Sequence, residues 1–197
     1  MANIQAIVVA AGSASRMGEI KQLLPWKKTT LLGNAIEQIL KTEISSVLTV
    51  LGSNYDLIKT EIKNLETEVI HHKNWREGIG TSIACGINHI VEKKNAEAIL
   101  IMLADQPLLD SKYLEKLIAN YVSNPSKITA TRYTNNIGVP AIFPAKYFEA
   151  LSKLKGDSGA KNILNDPSIE VLVLDPEDKI LDIDTPEDYK ILKARNS

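Results

Sequence analysis

Cysteine is nearly absent from this sequence, since Cys85 is the single one among 197 residues. One cysteine excludes an intrachain disulfide, and so few cysteines are typical of a protein from a reducing compartment. Cys85 lies within an apolar helical pattern, so we interpret it as a packing residue rather than a nucleophile.

An excess of charge of one sign is also lacking. The chain has 23 Lys and Arg residues against 24 Asp and Glu residues, which gives a formal net charge of -1. Without a general positive field, the chain is not expected to bind nucleic acid or an anionic membrane surface. Any anion must therefore be bound by a local arrangement of residues.

Long hydrophobic runs are missing as well. The apolar run AIVVAA near the N-terminus is far too short to span a bilayer, and neither a basic segment nor a cleavage-like site accompanies it. The sequence has no repeat, no low-complexity tract and no linker rich in proline, glycine or serine. With 44% hydrophobic residues, we expect one globular domain over residues 1–197, located in the cytoplasm.

Two kinds of segment alternate along the chain. Short apolar runs at 4–11, 45–52, 67–72 and 96–104 predict buried strands, and apolar residues at helical spacing predict helices at 30–41, 80–93 and 111–122. This alternation predicts an α/β fold, with a mainly parallel sheet between two helical layers in a three-layer α/β/α domain.

The pattern changes after residue 125. KITATRY (127–133) and GVPAIFP (138–144) predict an antiparallel excursion, either at the edge of the sheet or over the site. A last strand near Ile183 is expected to precede a C-terminal helix, for which Thr185 is the natural N-cap and Pro186 the first helical residue.

The loop after the first strand combines small residues with positive charge. It matches neither G-x-G-x-x-G nor the P-loop pattern. Its small residues let backbone N–H groups approach an anion, its arginine offers a fork for phosphate oxygens, and its lysine supplies a mobile charge. The residues concerned are Ala10, Ala11, Gly12, Ser13, Arg16 and Lys21. The alternative is a tight turn whose basic side chains are merely solvated.

Acidic residues follow two other predicted strands. Asp105 comes directly after a buried run, where a carboxylate is costly unless a cation or strong donors face it. An N-cap role is better served by Asp110, so we interpret Asp105 as a metal ligand. Asp182 and Asp184 can share one face of an extended segment, and one of them would complete a clamp for Mg²⁺ with Asp105. Alternatively, both are exposed at a capped helix start.

The segment HHKNWREGIGTSIACGI (71–87) leads from the third predicted strand into a helix. Gly78 and Gly80 are expected to loosen the chain there, and Ser82 with nearby N–H groups is placed to contact a base or ribose. His71 and His72 have no third ligand at metal-binding spacing, so we interpret them as strand-end residues. Trp75 either walls a pocket or covers the core.

Two further loops are expected to rim the same face. They are GVPAIFP (138–144) and LKGDSGAKNIL (154–164), which combine glycine, proline and charge. Four residues of the second loop are candidates for gripping a polar acceptor, namely Gly156, Asp157, Gly159 and Lys161. The alternative is a plain loop that ends at Gly159 before a short helix.

Six segments in series resemble the motifs of the MobA-like nucleotidyltransferases, and within them the branch of molybdenum cofactor cytidylyltransferases. The first is AAGSASRMGEIKQLLP (10–25), which is similar to the family signature A-A-G-x-S-x-R-M-G-x-x-K-x-L-L-P. The others are WREGIGTSIACGI, LADQP, GVPAIF, LKGDSGAKNIL and DIDTPEDY. They follow the family order and cover essentially the whole chain.

The resemblance implies a Rossmann-like nucleotidyltransferase fold and a role for each candidate residue. Arg16 and Lys21, with the backbone of Ala10–Gly12, would hold the donor triphosphate, and Ser82 with the Gly80 region would lie near its base and ribose. Asp105 would be the principal Mg²⁺ ligand, with Asp184 as the second and Asp182 as its substitute. Arg16, Lys21 and Asp105 would be the catalytic residues.

The resemblance also implies the substrates. Alanine at position 11, where guanylyl-transferring relatives typically have glycine, favours CTP as the donor. The acceptor would be the phosphate of a molybdenum–pterin cofactor, and a molybdenum hydroxylase or dehydrogenase would receive the product. Other acceptors or bases, such as a sugar phosphate or GTP, and a non-catalytic cofactor chaperone are the alternatives.

Overall fold

The computed structural model describes residues 2–13, 17–93, 96–179, 182–183 and 185–195. Its strands are β1 (Ile4–Ala10), β2 (Pro25–Trp26), β3 (Thr29–Thr30), β4 (Ser46–Leu51), β5 (Glu68–His71), β6 (Ala98–Leu103), β7 (Ile128–Arg132), β8 (Ile137–Pro144) and β9 (Val171–Leu174). Its helices are α1 (Leu31–Leu40), α2 (Tyr55–Glu61), α3 (Ile79–Glu92), α4 (Ser111–Ser123), α5 (Phe148–Ser152), α6 (Lys161–Leu164) and α7 (Pro186–Arg195).

A seven-stranded mixed sheet organises the described residues, in the order β5-β4-β1-β6-β8-β7-β9. The first four strands in this order, β5, β4, β1 and β6, are parallel to one another, and β7 is parallel to β9. Strand β8 is antiparallel to both of its neighbours, β6 and β7. The expected fold class is therefore confirmed. In such folds, the carboxyl ends of the parallel strands form the edge where ligands bind.

The position predicted for the antiparallel excursion is wrong. β8 lies inside the sheet between β6 and β7, and the edge beyond β7 is formed by β9, which the sequence did not lead us to expect. The physical reason is burial, because Ala141, Ile142 and Phe143 are fully buried and need cover on both faces of the sheet. The strand expected near Ile183 is also wrong, since residues 182–183 are irregular.

Two hydrophobic cores lie on opposite faces of the sheet. Along β1, Ala6 and Val8 pack on the side of α1 and α4, whereas Ile7 and Val9 pack on the side of α3. Successive side chains of a strand point to opposite faces, so a strand covered by helices on both sides must be apolar throughout. This explains the unbroken hydrophobic run that starts the chain.

A third, smaller cluster joins the segment after the opening loop to the end of the chain. Its buried members are Met17, Leu24, Trp26, Leu31, Ile183 and Leu192. The Tyr189 hydroxyl of α7 donates a hydrogen bond of 2.6 Å to the Pro25 carbonyl across the same contact. The C-terminal helix is thereby packed against residues 17–31, the segment that follows the opening loop.

Local capping sets the start of two helices as expected. The Asp110 carboxylate accepts from the Tyr113 amide at 3.0 Å and caps α4. At α7, the Thr185 hydroxyl accepts from the Asp188 amide at 3.2 Å, while the Asp188 carboxylate accepts from the Thr185 amide at 2.8 Å. This reciprocal arrangement satisfies two amides that the helix itself leaves unbonded. Within the described residues, no helix is both long and apolar enough to traverse a bilayer.

Candidate functional site

A cavity of about 370 Å³ opens at the carboxyl ends of β1 and β6. Among the described residues, four parts of the chain line it: the opening loop, the 75–82 segment, the end of β6 and the 154–160 loop. The lining residues are Val9, Ala10, Ala11, Gly12, Ser13, Lys21, Gln22, Trp75, Arg76, Gly78, Ile79, Ser82, Leu103, Ala104, Asp105 and Asp157. The structure therefore brings together most of the residues that the sequence singled out.

The opening loop is braced by a residue that sequence reasoning missed. The Gln22 side chain is only 7% exposed, and its Nε2 donates to the Ala10 carbonyl at 3.0 Å and to the Gly12 carbonyl at 2.7 Å. These two bonds hold the backbone at Ala10 and Gly12 in place. The only sequence signal for this role was the position of Gln22 directly after Lys21. Arg16, with Ala14 and Ser15, lies outside the described residues.

Asp105 and Lys21 form an ion pair on the wall of the cavity. Lys21 Nζ lies 2.7 Å from Asp105 Oδ2, with side-chain exposures of 13% for Lys21 and 24% for Asp105. The other carboxylate oxygen, Oδ1, is buried and has no hydrogen-bond partner among the described residues. A buried carboxylate oxygen without a donor is unfavourable. This oxygen is therefore available to a cation or a donor from a ligand.

The C-terminal segment lies beside Asp105, as expected. The Ile183 amide donates to the Asp105 carbonyl at 3.1 Å, and Asp182 Oδ1 accepts from Gln106 Nε2 at 3.1 Å. Asp182 does not line the cavity, and Asp184 lies outside the described residues. In the part of the chain that the structure describes, no group of three or more His, Cys, Asp or Glu side chains is placed to hold a metal.

The two glycines at the start of α3, Gly78 just before it and Gly80 in its first turn, do not loosen the chain, contrary to expectation, but allow close packing. Gly78 has φ +102°, and a Cβ there would lie 2.3 Å from the carbonyl carbon of Gly156. The Gly80 amide donates to the Gly156 carbonyl at 2.8 Å, and a Cβ on Gly80 would lie 2.7 Å from the Lys155 carbonyl oxygen. Only glycine permits this approach, which docks the 154–160 loop onto the start of α3.

This docking decides which residues of the segment face the cavity. Gly78, Ile79 and the nearly buried Ser82, which is 2% exposed, line it. Gly80 does not line the cavity, and its amide already donates to the Gly156 carbonyl. The predicted contact with the base or ribose would therefore be made by the residues next to it. Asp157 is exposed and reaches the cavity from the docked loop.

Trp75 lines the cavity, so of the two interpretations, pocket wall or cover of the core, the first is correct. The Arg76 guanidinium, which the sequence did not single out, lies 4.8 Å from the centre of the Trp75 ring and also lines the cavity. Cationic and aromatic groups together favour an anionic, planar ligand such as a nucleotide.

The two histidines are strand-end residues, in line with our interpretation. His71 stacks on Tyr55 with ring centres 4.2 Å apart. His72 Nε2 lies 3.0 Å from the Thr81 hydroxyl, which itself donates to the Gly78 carbonyl at 2.7 Å. Burial lowers the pKa of His72. The contact of His72 supports the turn into α3, whereas that of His71 is a packing contact with α2.

Comparison with known proteins agrees with this geometry. The model of the MobA-like NTP transferase domain matches residues 6–171. The purine catabolism protein PucB of Bacillus subtilis is 29% identical, with 97% of this chain and 96% of PucB covered. The nicotine blue oxidoreductase of Paenarthrobacter nicotinovorans is 28% identical, with 96% of each chain covered. The molybdenum cofactor cytidylyltransferase of Escherichia coli is 26% identical, with 99% and 98% covered.

Solved structures share the whole fold. Rv0371c of Mycobacterium tuberculosis H37Rv superposes with a TM-score of 0.87 at 27% identity, covering 98% of both chains. Its complex with manganese superposes with a TM-score of 0.82 at 26% identity, again with 98% of both chains covered. With a family model that spans most of its length and the cavity in the place expected for the fold, the chain belongs to the MobA-like NTP transferases, a family of nucleotidyltransferases.

Proposed function

We propose that the protein transfers CMP from CTP to the phosphate of a molybdopterin-type molybdenum cofactor and releases pyrophosphate, in a reaction that depends on Mg²⁺. One observation carries this proposal. Asp105, a half-buried carboxylate with one oxygen that is unbonded within the described part of the chain, lies beside a lysine and a braced loop of small residues in a single cavity. Acid, cation and backbone amides are the groups that phosphoryl chemistry requires.

The residues present fit a divalent cation. Asp105 Oδ1 is a hard oxygen donor, buried and without a partner among the described residues, and Mg²⁺ prefers one or two carboxylates together with substrate phosphates. By family resemblance, Asp184 would be the second ligand. When bound, Mg²⁺ would neutralise charge on the phosphates and polarise the transferring group. The manganese complex of the similar protein Rv0371c supports a divalent cation here.

The donor would lie along the length of the cavity. The triphosphate would meet the backbone of the opening loop, with Arg16 and Lys21 balancing its charge. The base and ribose would meet Ser82, Gly78 and Trp75 at the other wall. The match to the Escherichia coli molybdenum cofactor cytidylyltransferase supports cytosine as the base and the pterin cofactor as the acceptor.

The transfer needs no covalent enzyme intermediate. A phosphate oxygen of the acceptor would form a bond to the α-phosphorus of CTP while the bond to the departing pyrophosphate breaks. That oxygen is already ionised at neutral pH, so no general base is required. Cys85 does not line the cavity, and burial raises the pKa of its thiol, which makes it a poor nucleophile. The chain's contribution is to position both phosphates and to stabilise the charge on pyrophosphate with Lys21 and Arg16.

The test is pyrophosphate release measured with CTP, GTP, UTP or ATP, each with Mg²⁺ and the molybdenum–pterin cofactor. We expect release with CTP, and we expect none from Asp105→Ala, whose fold should stay intact by circular dichroism. Activity of Asp105→Ala within a few-fold of wild type at saturating Mg²⁺ would refute the role of Asp105. Preference for GTP would overturn the donor assignment, and stoichiometric pterin binding without pyrophosphate release would indicate a chaperone.

A further inference from the structure

Gln106, next to Asp105, is buried at the meeting point of three segments. It is 1% exposed. Its Nε2 lies within hydrogen-bonding distance of the Tyr133 hydroxyl, of the Val139 carbonyl at 3.2 Å and of Asp182 Oδ1 at 3.1 Å. One amide group therefore joins the end of β6 to β8 and to the segment before α7.

The direction of these bonds follows from the partners. The Val139 oxygen and the Asp182 carboxylate can only accept, and Tyr133 gives its own proton to the Val139 carbonyl at 2.6 Å. The opposite orientation of the amide would set Oε1 against a carbonyl and a carboxylate, which is repulsive. Gln106 Oε1 has no partner among the described residues. The three partners thus require Nε2 of Gln106 to face them, although this leaves Oε1 buried without a hydrogen bond within the described residues.

The same segment is held by a second bond. The amide of Ile183 donates to the carbonyl of Asp105 at 3.1 Å, and the Ile183 side chain is fully buried in the cluster with Trp26 and Leu192. Two consecutive residues of this segment are therefore hydrogen-bonded to two consecutive residues after β6: Asp182 to Gln106, and Ile183 to Asp105.

The Asp182 carboxylate is engaged by this network and not by the cavity, which it does not line. The neighbouring Tyr133 stays a neutral donor at neutral pH, because burial raises the pKa of its phenol and the Asp182 charge raises it further. In its bond with Gln106, Asp182 is therefore a structural acceptor.

We infer that Gln106 is a positioning residue that fastens the C-terminal acidic segment beside Asp105, and that Asp182 is its acceptor and not a ligand of the divalent cation. The inference rests on the proposed function, in which the cation binds at Asp105. It decides against Asp182 as the substitute metal ligand that the family resemblance implied.

Substitution at residue 182 distinguishes a hydrogen-bond acceptor for Gln106 from a ligand of the divalent cation. Asp182→Asn keeps an oxygen that accepts from Gln106 but loses the charge, whereas Asp182→Ala loses both. Binding of Mn²⁺ in the presence of CTP, followed by electron paramagnetic resonance, should be within about threefold of wild type for Asp182→Asn. It should weaken about tenfold or more for Asp182→Ala and Gln106→Met, as is found when outer partners of a metal site are removed. A tenfold loss in Asp182→Asn would overturn the inference, because it would identify residue 182 as a ligand.

A second measurement needs no metal. Amide hydrogen exchange of residues 182–192 in the metal-free protein should speed up in Gln106→Met and Asp182→Ala and stay at the wild-type rate in Asp182→Asn. Unchanged exchange in the first two variants would overturn the fastening role. If Asp105→Asn binds Mn²⁺ as well as wild type, the proposed metal site fails, while hydrogen exchange still decides the role of Gln106. Should Gln106→Met fail to fold, the pair of substitutions at residue 182 gives the same answer.

Discussion

At the residue scale, the two oxygens of Asp105 have different surroundings. Oδ2 is paired with Lys21 at 2.7 Å, whereas Oδ1 is buried without a partner among the described residues. The ammonium group partly compensates the carboxylate before any ligand binds. In the proposed reaction, the same ammonium would lie close to the phosphates of the nucleotide, so Lys21 would first pair with Asp105 and then stabilise the phosphates.

Removing the Lys21 charge should slow turnover more than it weakens the fold. Lys21→Ala removes a cation that would stabilise pyrophosphate as it leaves, and loss of one such group typically costs about 2–4 kcal/mol in transition-state binding. Steady-state kinetics of pyrophosphate release should show this as a lower kcat/KM. Lys21→Arg keeps the charge and should retain more activity. A Lys21→Ala enzyme with a kcat/KM within threefold of wild type would contradict the assignment.

At the element scale, the opening loop depends on the side chain of a later turn. Gln22 donates to the Ala10 and Gly12 carbonyls, so this part of the loop backbone is held before a ligand arrives. A preorganised loop binds more tightly because less conformational entropy is lost on binding.

Gln22→Met keeps the volume of the side chain and removes both bonds. Each is worth about 0.5–1.5 kcal/mol, so the Kd for CTP with Mg²⁺ should rise about tenfold. Isothermal titration calorimetry measures it. Gln38→Met is the matched control, because Gln38 also makes two side-chain hydrogen bonds but lies on α1 away from the cavity. Equal affinities of Gln22→Met and wild type would show that the loop does not need the brace.

The turn between β5 and α3 should make stability depend on pH. Thr81 donates its proton to Gly78, so His72 Nε2 is the donor in its bond to Thr81. Burial lowers the pKa of His72 from the ordinary value of 6.5. As the pH falls, His72 of the unfolded chain therefore takes up a proton before His72 of the folded chain. The stability that neutral His72 contributes is complete above pH 6.5 and is lost as the pH falls through the lower pKa of the folded state.

Urea unfolding at a series of pH values tests this. Between about pH 7.5 and pH 5.5, around the usual titration range of histidine, wild type should lose more stability than His72→Gln, which cannot titrate. Parallel pH profiles of the two proteins would show that His72 does not contribute. His71→Gln provides the control for loss of a neighbouring imidazole.

At the scale of the whole molecule, residues from the first sixth of the chain pack against its C-terminal segment. The cluster of Met17, Leu24, Trp26, Leu31, Ile183 and Leu192 packs the C-terminal helix against the segment that leaves the opening loop. The same helix follows the acidic segment beside Asp105. Docking of α7 and order at the donor site should therefore be linked.

Leu192→Ala tests this link. Leu192 is 1% exposed, and truncation of a buried leucine costs about 2–5 kcal/mol of unfolding free energy. We expect that loss in urea unfolding, together with weaker CTP binding. Ile191→Ala is the control, because Ile191 is next in the helix but 43% exposed. A Leu192→Ala protein no less stable than Ile191→Ala would contradict the role of the cluster.

Local patterns in the sequence predicted much of this molecule. The apolar runs located β1, β4, β5 and β6, and the capping residues Asp110 and Thr185 located two helix starts. The rule that ligands bind at the carboxyl ends of parallel strands then placed Asp105 and the opening loop together. The place of β8 was predicted wrongly, because an apolar strand of eight residues does not reveal which strands will flank it.

What the sequence by itself determined is the fold class, the family and the identity of the residues at the strand ends, because hydrophobic periodicity and motif spacing are properties of neighbouring residues. Only the tertiary structure decided which side chains share a bond. Gln106 and Asp182 are 76 residues apart, and Lys21 and Asp105 are 84 apart. Such pairs exist only after the sheet has brought distant segments to one edge, where each donor must find an acceptor away from water.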